Sequence, residues 1–201
     1  MLRRRSLTGD PVGPVAARRG QRDETHLIDR IKGKDLRAFE ELYRIYHPRL
    51  TRFLVNIIRR SQLVEEALND TMLVVWEKPE SYNGTSRVST WIFGIAYRKA
   101  LKTIRRWDEP MEDAHLQFLA SGESGPEQEI GDRQTHQDLM RALEKLSPDH
   151  RTVVNLAYFQ EVGYREIAEI MDCPVDTVKT RMFHARRQLK GMLAGQLKDW
   201  L

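Results

Sequence analysis

Between residues 90 and 106 lie five cations, Arg98, Lys99, Lys102, Arg105 and Arg106. On a helix they share an arc of about 120°, with no acidic residue among them along the segment. Like charges at helical spacing repel by a few tenths of a kcal/mol per pair. A bound polyanion removes that cost and releases counterions. Trp91 has the same azimuth, and Tyr82, Asn83, Thr85, Ser86 and the residues up to Thr90 make a polar loop just before it. Aromatic and polar groups beside a basic face suit an unstacked base. Nearer the C-terminus, a helix over 175–193 sets Val175, Val178, Met182, Ala185 and Leu189 in one apolar stripe. Its opposite side carries Thr177, Thr180, Arg181, His184, Arg187 and Gln188, with Lys179, Phe183 and Lys190 at the margins. Those side chains suit phosphates and base edges in a major groove.

A third face is acidic. On a helix over 63–78, Val64, Leu68, Met72 and Val75 form the core stripe, and Glu66, Asp70, Leu73 and Glu77 line up on another side. An acidic row around an exposed leucine is a protein-docking pattern, and it repels DNA. Taken singly, the 175–193 and 63–78 faces also read as ordinary solvated helix surfaces, and Trp91 alone reads as a core residue more readily than as a base-stacking platform. Enzyme chemistry finds no support: there is no phosphate-cradling glycine loop, His-Glu-x-x-His or Cys-x-x-Cys. The six histidines are scattered, and the single Cys173 excludes an internal disulfide or a multi-cysteine metal site.

These faces need elements to carry them, and the apolar spacing is helical throughout. Leu27, Ile28, Ile31, Phe39, Leu42, Tyr43 and Tyr46 predict helix up to Pro48; Leu50 to Ile58 predict a second segment, residues 63–78 a third and 90–106 a fourth. After a break come helices at 136–146, 148–160, 164–171 and 175–193, the 148–160 helix opened by Ser147 as N-cap and Pro148 at the first position. Short helix, tight Asp172-Cys173-Pro174 turn and longer helix suggest a helix-turn-helix. No strand pattern is visible, so the expected class is all-α: two small helical domains.

Length supports two domains: 201 residues exceed one small module. Residues 1–23 read as a disordered basic extension, with six Arg against one Asp before residue 23. The expected first domain is 24–106. Residues 107–135, with net charge −7 and Pro110, Gly122, Gly125, Pro126 and Gly131, read as a flexible acidic linker. The second domain is expected over 136–195. No apolar run reaches membrane-spanning length and no secretory signal is visible, so a cytoplasmic protein is expected.

The stretch Glu66-Ala67-Leu68-Asn69-Asp70 … Trp76 resembles the segment with which bacterial sigma factors of the extracytoplasmic-function class, the two-domain group, dock on RNA polymerase. Tyr82-Asn83-Gly84, then Ser89-Thr90-Trp91-Ile92 … Arg105-Arg106, is similar to their −10 reader. Leu146-Ser147-Pro148 … Arg151, Tyr164-Arg165-Glu166-Ile167-Ala168 and Thr177-Val178-Lys179-Thr180-Arg181 are similar to their −35 reader. The resemblance runs from about 24 to 193. It departs at Asn69, Met72, Arg98, Lys102 and Asp176, which puts the promoter sequence, not the activity, in question.

The resemblance implies a region 2-like helical bundle and a region 4-like helix-turn-helix. Glu66, Asn69, Asp70, Leu73 and Trp76 are expected to bind the β′ clamp helices of core polymerase. Tyr82, Asn83, Thr85, Ser86, Thr90, Trp91, Arg98, Lys102, Arg105 and Arg106 are expected on the −10 element. Arg151, Tyr164, Thr177, Lys179, Thr180, Arg181, Phe183, His184 and Arg187 are expected on the −35 element. The β flap, promoter DNA and an anti-sigma factor are the implied partners of a chain that is monomeric when free, in a stress or envelope response. No cofactor and no catalysis are implied. The rival reading is a conventional helix-turn-helix regulator whose N-terminal half is a sensor or dimerisation domain; such a domain needs no acidic face beside a basic one.

Overall fold

A computed structural model describes residues 14–58, 60–106 and 138–193, with side chains from Asp23 onward. Every regular element among them is helical, as the periodicity predicts. Expectations for residues 1–13, 107–137 and 194–195 fall outside the described residues.

Helix α1 spans Pro14–Lys32 and α2 spans Leu36–Val55. Two predicted boundaries shift here. Residues 14–23, expected in the disordered extension, belong to α1: Pro14 opens it, where a missing N–H costs nothing. The break expected at Pro48 lies instead at Gly33-Lys34. Lys34 takes a left-handed φ of 60°, and Asp35 then caps α2 by accepting from the backbone N–H of Arg37 and Ala38 at 2.9 and 3.3 Å. The Arg30 guanidinium, 2.7 Å away, holds the Asp35 carboxyl below its usual value. The helix passes through Pro48 because that residue is exposed, so the carbonyl it leaves unpaired faces water.

Helix α3 (Ser61–Glu77) and helix α4 (Val88–Arg106) follow, joined by a 3-10 turn at Pro79–Ser81 and a loop. The four helices pack on one another around Tyr46, Phe53 and Phe93. The Phe93 ring meets the Tyr46 and Phe53 rings edge-on at 6.5 and 5.1 Å, and the Arg49 guanidinium lies over Tyr46 and Phe93. The Tyr46 hydroxyl donates to Glu24 at 2.9 Å, fastening α1 to α2. Phe93→Ala removes the ring these side chains close on. The expected cost is about 3–5 kcal/mol, read as a shift of the urea midpoint.

The second half comprises α5 (residues 138–144), α6 (Pro148–Val154, running on as a π turn over Asn155–Phe159), α7 (Tyr164–Met171) and α8 (Val175–Leu193). Ser147 caps α6 as expected, accepting from the His150 N–H at 3.3 Å. Asp172, left-handed at φ 49°, ends α7, and Pro174 admits the chain to α8. Val178, Met182 and Ala185 of the predicted stripe are buried against α6 and α7. The two halves meet where α7 packs along α4.

Candidate nucleic-acid interface

The loop before α4 is shaped from beneath by Tyr82. This residue, expected on the −10 element, is only 6% exposed; its hydroxyl donates to the Ser86 carbonyl at 2.8 Å, and its ring lies 5.4 Å from that of Trp91. Above it, the Asn83 side-chain oxygen accepts from the Thr85 N–H and hydroxyl at 3.0 and 2.7 Å. Gly84 between them has φ 76°, open to glycine at no steric cost. Asn83 and Thr85 are therefore presented to solvent, Ser86 and Trp91 are half-buried, and Tyr82 braces the loop.

Thr90 is covered. Its hydroxyl donates to a Glu166 carboxylate oxygen at 3.3 Å, and the Arg87 Nε lies 3.2 Å from that same oxygen. Glu166 also accepts from the Gly163 N–H at 3.2 Å, so it caps its own helix while holding the entrance of α4. Sequence reasoning missed Arg87 and Glu166. Arg87 was detectable: a cation at a helix N-terminus opposes the helix dipole and needs an anion.

The seam between the halves continues along α4. A Cβ at Gly94 would lie 3.9 Å from the Ile170 backbone, so α7 lies close along α4 with room for a methyl group at this position. Further on, burial and the Asp149 carboxylate push the Tyr97 hydroxyl up to about 12; it stays protonated and donates to Asp149 at 3.5 Å. Asp149 in turn pairs with Arg181, whose guanidinium reaches the Cys173 Sγ at 3.6 Å.

The basic row of α4 is not free of partners, contrary to the reading along the helix alone. Lys99 Nζ lies 3.0 Å from Asp70 of α3, and Arg106 lies 3.7 Å from Glu66. Arg98, Lys102 and Arg105 have no carboxylate within ion-pair distance among the described residues, and all three are exposed. Along α3, Val64, Leu68, Met72 and Val75 are buried as predicted, while Glu66, Asn69 and Leu73 are exposed and Asp70 half-buried. Trp76 is clamped rather than loose: the Lys34 ammonium sits over its ring and donates to its carbonyl at 3.0 Å, and Phe39 lies 5.2 Å from it. Leu73, half exposed, stands beside this clamp one helical turn earlier.

On α8, Lys179, Thr180, Phe183, His184 and Arg187 are exposed, Phe183 by 62%. Lys179 pairs with Asp176 at 2.9 Å, and His184 stacks on His150 of α6. Two of the expected residues, Arg151 and Arg181, have partners within the chain. Arg151 is buried and donates to the Leu146 carbonyl at 3.1 Å, tying α6 to the segment before it. Arg181 is turned toward Asp149, and Thr177 is half-buried. Tyr164, at the start of α7, is half-buried as well.

Two family models match in the order these faces occur. The model of sigma-70 region 2 matches residues 42–108, and that of sigma-70 region 4 matches residues 136–189. The chain belongs to the sigma-70 family. Among its relatives, the ECF RNA polymerase sigma-E factor of Haemophilus influenzae is 26% identical, over 83% of this chain and 93% of the relative. The RNA polymerase sigma-H factor of Pseudomonas aeruginosa is 24% identical, over 89% and 98%. With these relatives the sigma factor falls in the extracytoplasmic-function class, and its function is to direct promoter-specific transcription by RNA polymerase. The family is regulatory.

Two solved structures share the fold. The sigma factor RpoE of Bartonella quintana, in complex with the anti-sigma factor NepR, superposes with a TM-score of 0.65 at 23% identity, covering 79% of this chain and 98% of that one. CnrH, in complex with the cytosolic domain of CnrY, gives 0.64 at 18% identity, covering 87% and 99%. No helix among the described residues of the sigma factor is long and apolar enough to cross a membrane.

Proposed function

We propose that residues 24–106 form the polymerase-docking and −10-reading domain, that 136–195 form the −35-reading domain, and that 107–135 join them. The observation that carries this reading is the division of one helix pair: α3 presents Glu66, Asn69, Asp70 and Leu73, while α4 presents Arg98, Lys102 and Arg105. A sensor or dimerisation domain has no use for a protein-docking row and a phosphate-binding row side by side. Glu66, Asn69, Asp70, Leu73 and the clamped Trp76 meet the β′ clamp helices of core polymerase. Asn83, Thr85, Ser86 and Trp91 receive an unstacked −10 base, and Arg98, Lys102, Arg105 and Arg106 hold the adjoining phosphates. On α8, Lys179, Thr180, Phe183, His184 and Arg187 enter the major groove at the −35 element. The β flap is the second polymerase contact.

Thr90 becomes available to DNA only when α7 leaves α4, so the described conformation suits a chain held away from promoters. One fold neighbour, the sigma factor RpoE, is bound to the anti-sigma factor NepR, and an anti-sigma factor is the partner proposed to keep this chain so. The sigma factor works in the cytoplasm and performs no chemistry of its own; phosphodiester synthesis belongs to the polymerase.

The test is run-off transcription by core polymerase with the purified chain on candidate promoters. Lys179→Ala with His184→Ala takes nothing from the buried stripe of α8. Initiation from a promoter with a −35 element is expected to fall by ~1–3 kcal/mol for each base-specific interaction removed, while core still co-purifies with the chain. Loss of core binding in this variant would contradict the assignment of faces. Tight, selective binding of one promoter by the isolated chain would favour the conventional regulator.

A further inference from the structure

Two ion pairs bridge the docking row of α3 and the basic row of α4. Asp70 and Glu66 lie in the acidic row assigned to polymerase; their partners are Lys99, next to Arg98 in the basic row of α4, and Arg106, assigned to the DNA phosphates. In the free chain, the docking row therefore serves as counter-anion to part of the phosphate-binding row. Both pairs reach solvent: Arg106 and Glu66 are 61% and 46% exposed, and Asp70 is 50% exposed against a half-buried Lys99 at 28%. A sealed pair would be costly to part, whereas an exposed one contributes little to stability and yields to a competing charge.

Resting on the proposed function, we infer that polymerase docking and DNA binding are coupled through these pairs. Cations of the polymerase draw Asp70 and Glu66 outward, and Lys99 and Arg106 pass to the DNA phosphates. Without polymerase, a phosphate must displace a carboxylate already in place, and it gains less from doing so. Lys99 carries most of the effect, because its pair is shorter than that of Arg106 (3.0 against 3.7 Å). Coupling of this kind is reciprocal: DNA on α4 raises the affinity of α3 for polymerase by the same factor.

The experiment uses the full chain and a labelled single-stranded oligo-dT of 20 nucleotides, titrated at several salt concentrations. Asp70→Asn keeps the side-chain shape and frees Lys99. It is expected to tighten oligo-dT binding about three- to fivefold, the scale of one exposed pair. The slope of log affinity against log salt should steepen by about 0.7, the value for one added phosphate contact on a single strand. Removing any negative charge favours DNA at long range, so Glu65→Gln is the control. Glu65 is exposed on the same helix and has no cation within ion-pair distance among the described residues. Its gain should be smaller and its salt slope unchanged. In a Lys99→Gln background the added effect of Asp70→Asn should fall to that of Glu65→Gln.

Equal gains from Asp70→Asn and Glu65→Gln, or a gain that survives Lys99→Gln, overturn the coupling. Core affinity of Asp70→Asn is measured in parallel by competition. If core binding weakens while the oligo-dT gain matches the control, the docking assignment stands and the coupling fails. If core binding is unchanged, the docking assignment itself fails.

Discussion

Core RNA polymerase is expected to stop co-purifying with the chain when Glu66→Lys and Asp70→Lys are introduced together. The two changes turn the exposed row of α3 from acidic to basic and leave Val64, Leu68, Met72 and Val75 in place. Juxtaposed like charges across an interface cost several kcal/mol, so binding should fall by about a hundredfold or more. Within the chain the new lysines face Lys99 and Arg106, an exposed repulsion that lowers stability only modestly. A compensated variant separates the two effects. Adding Lys99→Glu and Arg106→Glu restores opposite charges between α3 and α4, and with them the melting temperature, but not polymerase binding. Wild-type recovery of core by the reversed chain sinks the assignment of α3.

A second large effect is expected at Gly94, where α7 crosses α4. Gly94→Ala puts a Cβ at 3.5 Å from the Arg98 guanidinium and 3.9 Å from the Ile170 backbone, both ordinary contacts. That variant should be more stable, since alanine in a helix interior is favoured over glycine by up to ~1 kcal/mol. Gly94→Leu has the same helical advantage, but its further carbons are expected to press on the α7 backbone 3.9 Å from the Cβ position. The halves are expected to part while each remains folded. Small-angle scattering should show a larger radius of gyration for Gly94→Leu alone, and oligo-dT binding should strengthen as Thr90 and Arg87 lose Glu166. If Gly94→Leu scatters like the wild type, the close approach at Gly94 is not what holds the halves together.

Where local chemistry sets a boundary, the sequence was sufficient. Gly163 and the Asp172-Cys173-Pro174 turn punctuate α7 and α8, and both helices begin and end at the predicted residues. Apolar spacing likewise identified the buried stripes of α3 and α8, because it reports what each helix turns toward a core. Pro48 misled for a physical reason: a proline breaks a helix by stranding a carbonyl, and here the carbonyl reaches water. The opposite error arises at Gly33 and Asp35, where a weak glycine signal and an N-cap lie hidden within an apparently continuous apolar pattern.

The site was less legible than the fold. A helical wheel displays one helix, not what lies across from it. Lys99 and Asp70 are 29 positions apart, and Thr90 and Glu166 are 76 apart; nothing in either local pattern announces the other. Arg151 and Tyr82 show the converse. Both carry polar groups that read as exposed contacts, yet both are buried and have backbone carbonyls as partners. Residue type suggested the chemistry, and tertiary contact decided its target.

The single sulfhydryl of this chain sits in the half-buried turn between α7 and α8, beside Arg181 and within electrostatic reach of Tyr97 across the seam. A maleimide added to the unmodified protein therefore labels one place, and that place is next to the seam between the halves. The thiol is already partly exposed, so opening of the seam is expected to speed a labelling reaction that the closed chain also undergoes. Masking by a bound regulator should slow that reaction, and entry into the polymerase should change it again. The chain thus carries an intrinsic chemical clock for its own release, readable without any engineered probe.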